Sequence, residues 1–243
     1  MSYLKRVVIA GDTVEVKLYH SCRARPKGEA RRKRFRETSL EQEEVNRKNA
    51  EDTLRWLLNT NFGYGDYHIV LNYQRKPNEP YREPLQMKDD ATKFIRKLRA
   101  RYTKQGSEMN FVYVMEIGEK GSRHIHFVLN RIDVGLIQDC WPHSRITCTP
   151  LDNTGNYWKL ANYLMKYSDK TFRTVGALMG KRYSRSRNLK LPIIKKTVIK
   201  KSSSYRAVPT AMKGYRIIDD MTYTGVDAFG YSFLKYVLVR CRI

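Results

Sequence analysis

Residues 109–117 and 123–130 constrain the fold more than any other part of this sequence. Both runs are rich in β-branched and aromatic residues. The five residues between them, Gly118-Glu119-Lys120-Gly121-Ser122, have the composition of a hairpin loop. A symmetric hairpin closed by that loop pairs Ile117 with Arg123, and therefore Glu116 with His124. Side chains alternate across a strand, so His124 and His126 project to one side while Ile125 turns to the other. Opposed residues share a face, with Cβ atoms about 5 Å apart, which adds Glu116 to the histidine side. A one-residue slip in register would send Glu116 to the opposite face. Two imidazoles and a carboxylate suit Mn²⁺, Mg²⁺ or Zn²⁺ and leave positions for substrate oxygens. A lone His-x-His recurs by chance. Here two of only five histidines in the chain converge with a carboxylate.

The rest of the chain supplies a frame for that hairpin. Residues 3–20 alternate β-branched positions around Ala10-Gly11-Asp12, a second hairpin. After a basic segment, Thr38 or Ser39 with Glu41 or Gln42 three residues on signals a helix start. The spacing predicts a helix over 39–60, ended by Gly63 and Gly65. A strand at 66–75, a helix at 87–104, the hairpin, a short helix at 133–140, a strand at 145–151 and a helix at 155–169 follow. This order implies an α+β antiparallel sheet with helices packed on one face. It divides the chain into 1–60 (hairpin, basic segment and helix), 61–175 (core) and 176–243 (a basic, β-rich extension).

Charge indicates the partner. Lys and Arg number 47 against 24 Asp and Glu, a formal +23. Residues 23–36 hold eight basic residues and one acid, and between Asp169 and Asp219 there are fourteen basic residues and no carboxylate. Tyr183, Leu189, Ile193, Ile194, Val198, Ile199 and Tyr205 interleave with the second stretch, which suits a sheet with a phosphate-facing side. A polyanion is the expected partner. No apolar run approaches the length of a membrane span, and the first ten residues lack the pattern of a signal peptide. The four cysteines form no CxxC pair, as in a reduced, cytoplasmic protein.

Within 155–169, helical spacing puts Tyr163, Lys166 and Tyr167 on one face, with Leu160 and Leu164 on the packed side. A phenol has a reference pKa near 10 and needs help to act as a nucleophile at neutral pH. Lys166, one turn away, is placed to stabilise a phenolate or a phosphate. Taken alone the pattern describes an ordinary amphipathic helix. Beside the His-Ile-His hairpin it becomes specific.

The order His-hydrophobic-His, then Tyr-x2-Lys-Tyr on a later helix, resembles the HUH endonuclease superfamily. His68-Ile-Val-Leu-Asn-Tyr73 resembles its first motif. Asn61-Phe62-Gly63-x-Gly65-Asp66, the paired tyrosines and Gly180-Lys-Arg-Tyr-Ser-Arg-Ser-Arg-Asn188 are similar to rolling-circle replication proteins of the filamentous-phage gene II type. The resemblance covers roughly residues 40–190. It implies a ferredoxin- or RRM-like HUH fold and catalytic residues Tyr163, Tyr167 and Lys166. It also implies a divalent metal (Mn²⁺ or Mg²⁺) on His124, His126 and Glu116. The implied reaction nicks and rejoins single-stranded or hairpin origin DNA through a 5′-phosphotyrosine, with Tyr163 as first nucleophile. A host helicase and polymerase would be partners in the cytoplasm of a bacterial cell. Phe127 stands where many relatives have a third histidine, which raises the importance of Glu116.

No Gly-x4-Gly-Lys-Ser/Thr motif is present, hence the expected host helicase. Two other readings use the same parts. A basic RRM-like binding module explains the charge but not the convergence of Glu116, His124, His126 and Tyr163. An HUH relaxase or transposase shares the catalytic motifs.

Overall fold

The computed structural model describes residues 2–21, 40–74, 80–118, 121–179, 181–199, 208–227 and 230–241. The basic segment 23–36, the helix-start candidates Thr38 and Ser39, Tyr205 and Gly180 lie outside them. The chain forms two compact units, one of residues 45–190 and one combining residues 1–44 with 191–243.

In the first unit, β3 (Tyr67–Asn72), α2 (Pro84–Lys104), β4 (Phe111–Ile117), β5 (Arg123–Leu129), α3 (Val134–Asp139) and β6 (Ile146–Pro150) follow one another as βαββαβ. The sheet order is β6-β3-β5-β4, extended by the two-residue β7 (Ser184–Arg185), and every pairing is antiparallel. This is the ferredoxin-like arrangement, so the expected α+β class holds. Hairpin β4–β5 has the pairing expected from its loop: Ile117 faces Arg123 and Glu116 faces His124.

Alternation sorts the sheet residues into two cores. Ile69, Leu71, Phe111, Tyr113, Met115, Ile125, Phe127 and Leu129 pack with Met87, Phe94, Leu98 and Tyr102 of α2 and with Ile137 near Trp141. Thus α2 and α3 share one face, as the βαββαβ pattern implies. The helices as a whole do not. Val112, Val114 and Val128, from the other face, pack with Leu54 and Leu58 of α1 (Leu40–Asn61), with Phe62 just after it, and with Ala161, Leu164 and Met165 of α4 (Trp158–Met179). Two added helices therefore cover a face that the βαββαβ unit alone would leave open. Sequence periodicity finds the apolar stripe of each helix and not the face it meets.

Several boundaries differ from those read in the sequence, two of them in an informative way. Helix α2 begins at Pro84, three residues earlier than expected, because proline suits the first turn and Gln86 Oε1 accepts from the Glu83 backbone N–H at 3.0 Å. Helix α4 runs to Met179 rather than 169, since Gly176 inside it does not stop the helix.

In the second unit, β1 (Ser2–Ala10) and β2 (Thr13–Ser21) form the expected hairpin around Gly11 (φ 56°). They join β8 (Ile193–Ile199), β9 (Tyr215–Val226) and β10 (Ser232–Arg240) in one antiparallel sheet of order β8-β1-β2-β10-β9. Val14, Val16, Leu18, Leu234, Tyr236 and Leu238 form the core of one face. No described helix is long and apolar enough to cross a membrane.

Candidate active site

Glu116 on β4, His124 and His126 on β5, and His68 and Asn72 on β3 share the sheet face that α4 covers. The registers require it: Glu116 faces His124, which faces Asn72, and Val70 faces His126. Helix α4 is pinned above them at two points. The buried Asn59 side chain accepts from the Tyr157 backbone N–H at 2.8 Å, just before the first turn of α4. Further along, Thr171 Oγ1 accepts from the Ile117 N–H at 3.0 Å, tying the helix to the end of β4 beside Glu116.

Between those pins, Tyr163 and Tyr167 reach the histidines. Their rings lie 5.6 and 6.1 Å from His126, the Tyr163 ring 5.9 Å from His68, and the two tyrosine rings 4.7 Å apart. His126 is the hub. It is 2% exposed, its Nε2 lies 2.7 Å from Glu116 Oε2, and its Nδ1 lies 3.3 Å from His68 Nε2. His124 Nδ1 meets Asn72 Oδ1 at 2.9 Å. Lys166 is exposed on α4, and among the described residues it makes no ion pair with Glu116.

The electrostatics follow from burial. His68 is depressed from 6.5 to about 4, by desolvation first and by His126 second. Desolvation also lowers His124, against the pull of Glu116. Both imidazoles are therefore neutral at pH 7. Tyr163, 41% exposed, is raised above the usual phenol value by burial first, then by Tyr167 and Glu116. Its proton is held more firmly than that of a free tyrosine, so attack by this oxygen needs assistance.

Imidazoles and a carboxylate on one face have the chemistry to hold a divalent cation. Cis ligands of an octahedral ion at about 2.1 Å stand about 3 Å apart, close to the 2.7 Å between His126 and Glu116. The third donor is not closed onto that pair: the His124 and His126 rings are 6.3 Å apart, and no three His, Cys, Asp or Glu among the described residues are spaced as a metal cluster. The donor types and their common face fit such an ion.

The sequence reading brought Glu116, His124, His126, Tyr163 and Tyr167 together but left His68 and Asn72 out of the site. Their signal was the alternation of β3, which puts both on one face, although only the β3–β5 register shows which face. Two other quoted motifs are architectural. Asn61 holds Lys190 through both its side-chain atoms, and Asp66 accepts from the Gly63 and Arg131 backbone N–H groups around Gly65 (φ 84°). Ser186 exchanges bonds with the Phe111 backbone, and Asn188 bonds Glu108, so the 181–189 segment closes the sheet edge.

The fold thus defines an α+β protein of ferredoxin-like sheet order, with a tyrosine-bearing helix laid over a histidine–carboxylate face. Residues 66–172 match the family model of the replication-associated protein ORF2/gene II protein, a stretch that contains all seven site residues and Lys166. The match supports a Rep-like replication protein. No curated protein and no solved structure matches the chain.

Proposed function

We propose that this chain initiates rolling-circle replication by cutting and rejoining single-stranded DNA through Tyr163. The observation that carries this reading is the contact of Tyr163 and Tyr167 with His126, which is itself bonded to Glu116. A histidine–carboxylate pair supports phosphate chemistry, and a phenol beside it is a nucleophile in place. The Tyr163 hydroxyl attacks a backbone phosphorus. The Oη–P bond forms, the P–O3′ bond breaks, and a 5′-phosphotyrosine remains with a free 3′-OH. The exchange is proton-neutral, since the proton leaving the phenol is balanced by one taken up at O3′. Tyr167, 4.7 Å away ring to ring, is placed for a second cut, so that strand transfer restores a closed circle. A divalent cation (Mn²⁺ or Mg²⁺) held by Glu116, His124 and His126 would withdraw charge from a non-bridging oxygen. His68, opposite Glu116 on the His126 ring, fixes the orientation of that imidazole. Lys166, exposed on the same helix, meets the phosphate from the solvent side. Polymerase and helicase functions fall to the host.

An RRM-type module stacks bases on its open sheet face. Here Val112, Val114 and Val128 on that face are at most 1% exposed, packed with α1 and α4, which disfavours that reading. A relaxase or transposase would share the same chemistry. The test uses labelled single-stranded oligonucleotides tiling the DNA that encodes the chain and its flanks, incubated with Mn²⁺ and run on a denaturing gel. A covalent adduct in the wild type that disappears in Tyr163→Phe is expected. Binding with no metal-dependent adduct from any oligonucleotide would overturn the proposal.

A further inference from the structure

The outer side of α2 is not used by the tyrosine site. From Ala91 to Ser107 the sequence holds no carboxylate, and Lys93, Arg96, Lys97, Arg99 and Lys104 are all exposed. Ala91, Phe94, Leu98 and Tyr102 form the buried stripe against the sheet. The helical repeat therefore turns Lys93, Arg96 and Lys104 outward and sets Lys97 and Arg99 on the flanks. Among the described residues, the ion pairs of this helix are those of Asp90 with Arg82 and His143, and none reaches these five cations. Arg101, the sixth, bonds the Cys140 thiol instead. Asp89, one turn before Lys93, is the one carboxylate exposed on α2.

The fold itself does not call for this charge. Lys93 with Arg96 and Lys97, and Arg96 with Arg99, are like-charge neighbours three or four residues apart, which destabilise a helix. Lys104, in the last turn, is offset by the helix dipole, but the other four lie before that turn. A polyanion laid along the helix turns their repulsion into attraction. The company these cations keep indicates which polyanion. Between Thr92 and Lys104 every exposed residue is Thr, Ala, Lys or Arg. Proteins that hold unpaired strands set aromatic rings among their cations to stack the bases. This face has no exposed ring and so offers contacts to phosphates alone, which suits duplex DNA with its bases stacked inside. Lys93 and Lys104 stand about 16 Å apart along the helix axis, enough to straddle a major groove about 12 Å wide.

We infer that the outer face of α2 is a docking surface for duplex DNA, with Lys93, Arg96, Lys97, Arg99 and Lys104 on phosphates and no base read. DNA as the occupant rests on the proposed replication function. The surface has no part in bond cleavage. It holds the double-stranded DNA that flanks the cut, while the cut strand meets the tyrosines on the opposite face of the same sheet.

The test measures binding of a fluorescent duplex of about 30 base pairs and arbitrary sequence to the full chain in EDTA, over a range of salt. Arg96→Gln/Lys104→Gln removes two outward cations and keeps good helix formers in their place. Loss of two phosphate contacts should lower the slope of log K against log salt by about 1.8 and weaken binding more than tenfold near 0.1 M salt. Arg96→Lys/Lys104→Arg keeps both charges and should keep the wild-type slope, which separates charge from any disturbance of the helix. A thymidine 20-mer should keep its slope in the glutamine variant to within about 0.5. An unchanged duplex slope in the glutamine variant overturns the docking surface, and a fall in polyglutamate binding instead assigns the face to an acidic protein. An equal fall for the thymidine 20-mer overturns the duplex as occupant. A fall as large in the charge-preserving variant overturns the phosphate contacts. Adduct formation by the wild type with Mn²⁺ is scored separately. No adduct with a lowered duplex slope would reject the tyrosine reading and keep the docking surface.

Discussion

Replacing His68 by glutamine should remove much of the acid sensitivity of the metal-free chain. In the folded state His68 takes up its proton only near pH 4, against 6.5 for an exposed histidine, because burial and the neighbouring His126 both disfavour the imidazolium. The unfolded chain binds that proton more readily. The contribution of His68 to stability is therefore complete above pH 6.5 and is lost as the pH falls towards 4. Integrating between the two values gives a loss of about 2 kcal/mol from pH 7 to 5, and about 3 kcal/mol by pH 4. Glutamine retains a polar atom within reach of His126 Nδ1 and does not titrate. His124 and His143 are lowered in the same direction and Asp66 is raised by burial, but all three remain in both proteins. Urea unfolding followed by tryptophan fluorescence, in EDTA at pH 5 and 7, reads the difference directly. The wild type should lose about 2 kcal/mol more than His68→Gln over that interval. Equal losses in the two proteins would show that His68 is not held neutral by the fold, and the claim that it orients His126 as an uncharged partner would go with it.

Other expectations concern the site and its supports. Tyr167→Phe should keep the first covalent adduct and lose circular product, and a normal yield of circles would remove Tyr167 from the second cut. Glu116→Gln should weaken Mn²⁺ binding, followed by electron paramagnetic resonance, by roughly tenfold or more, as loss of a ligand or its partner does. Unchanged affinity would remove Glu116 from the ligand set. Thr171→Val preserves shape but leaves the Ile117 N–H without its acceptor, a cost of about 1–3 kcal/mol in urea unfolding. A cost near zero would mean that this bond does not pin α4 to β4. Phe127→Ala, which empties the space between Phe94 and Tyr113, should cost about 3–5 kcal/mol.

Much of the site was legible because it depends on short-range geometry. The period of two along β5 orients His124 and His126 together whatever the sheet does around them. The helical repeat brings Tyr163 and Tyr167 to one side of α4 in the same way. The five-residue loop was enough to set Glu116 against His124. Lys166 was legible as a neighbour of the tyrosines but stands exposed, since three residues along a helix is also a rotation of about 300°.

What only the tertiary structure decided is pairing between segments far apart in the chain. His68 meets His126 because β3 lies antiparallel to β5 in one register out of several that its alternation would allow. Helix α4 covers the histidine face, and not the α2 face, because Leu164 and Met165 find Val112 and Val114 there. The hairpin at residues 3–20 is local, but its union with strands nearly two hundred residues later is not. Periodicity specifies which side of an element is apolar. The choice of partner depends on which buried surfaces fit and on the entropy of closing the loops between them, and neither is written in any short window of residues.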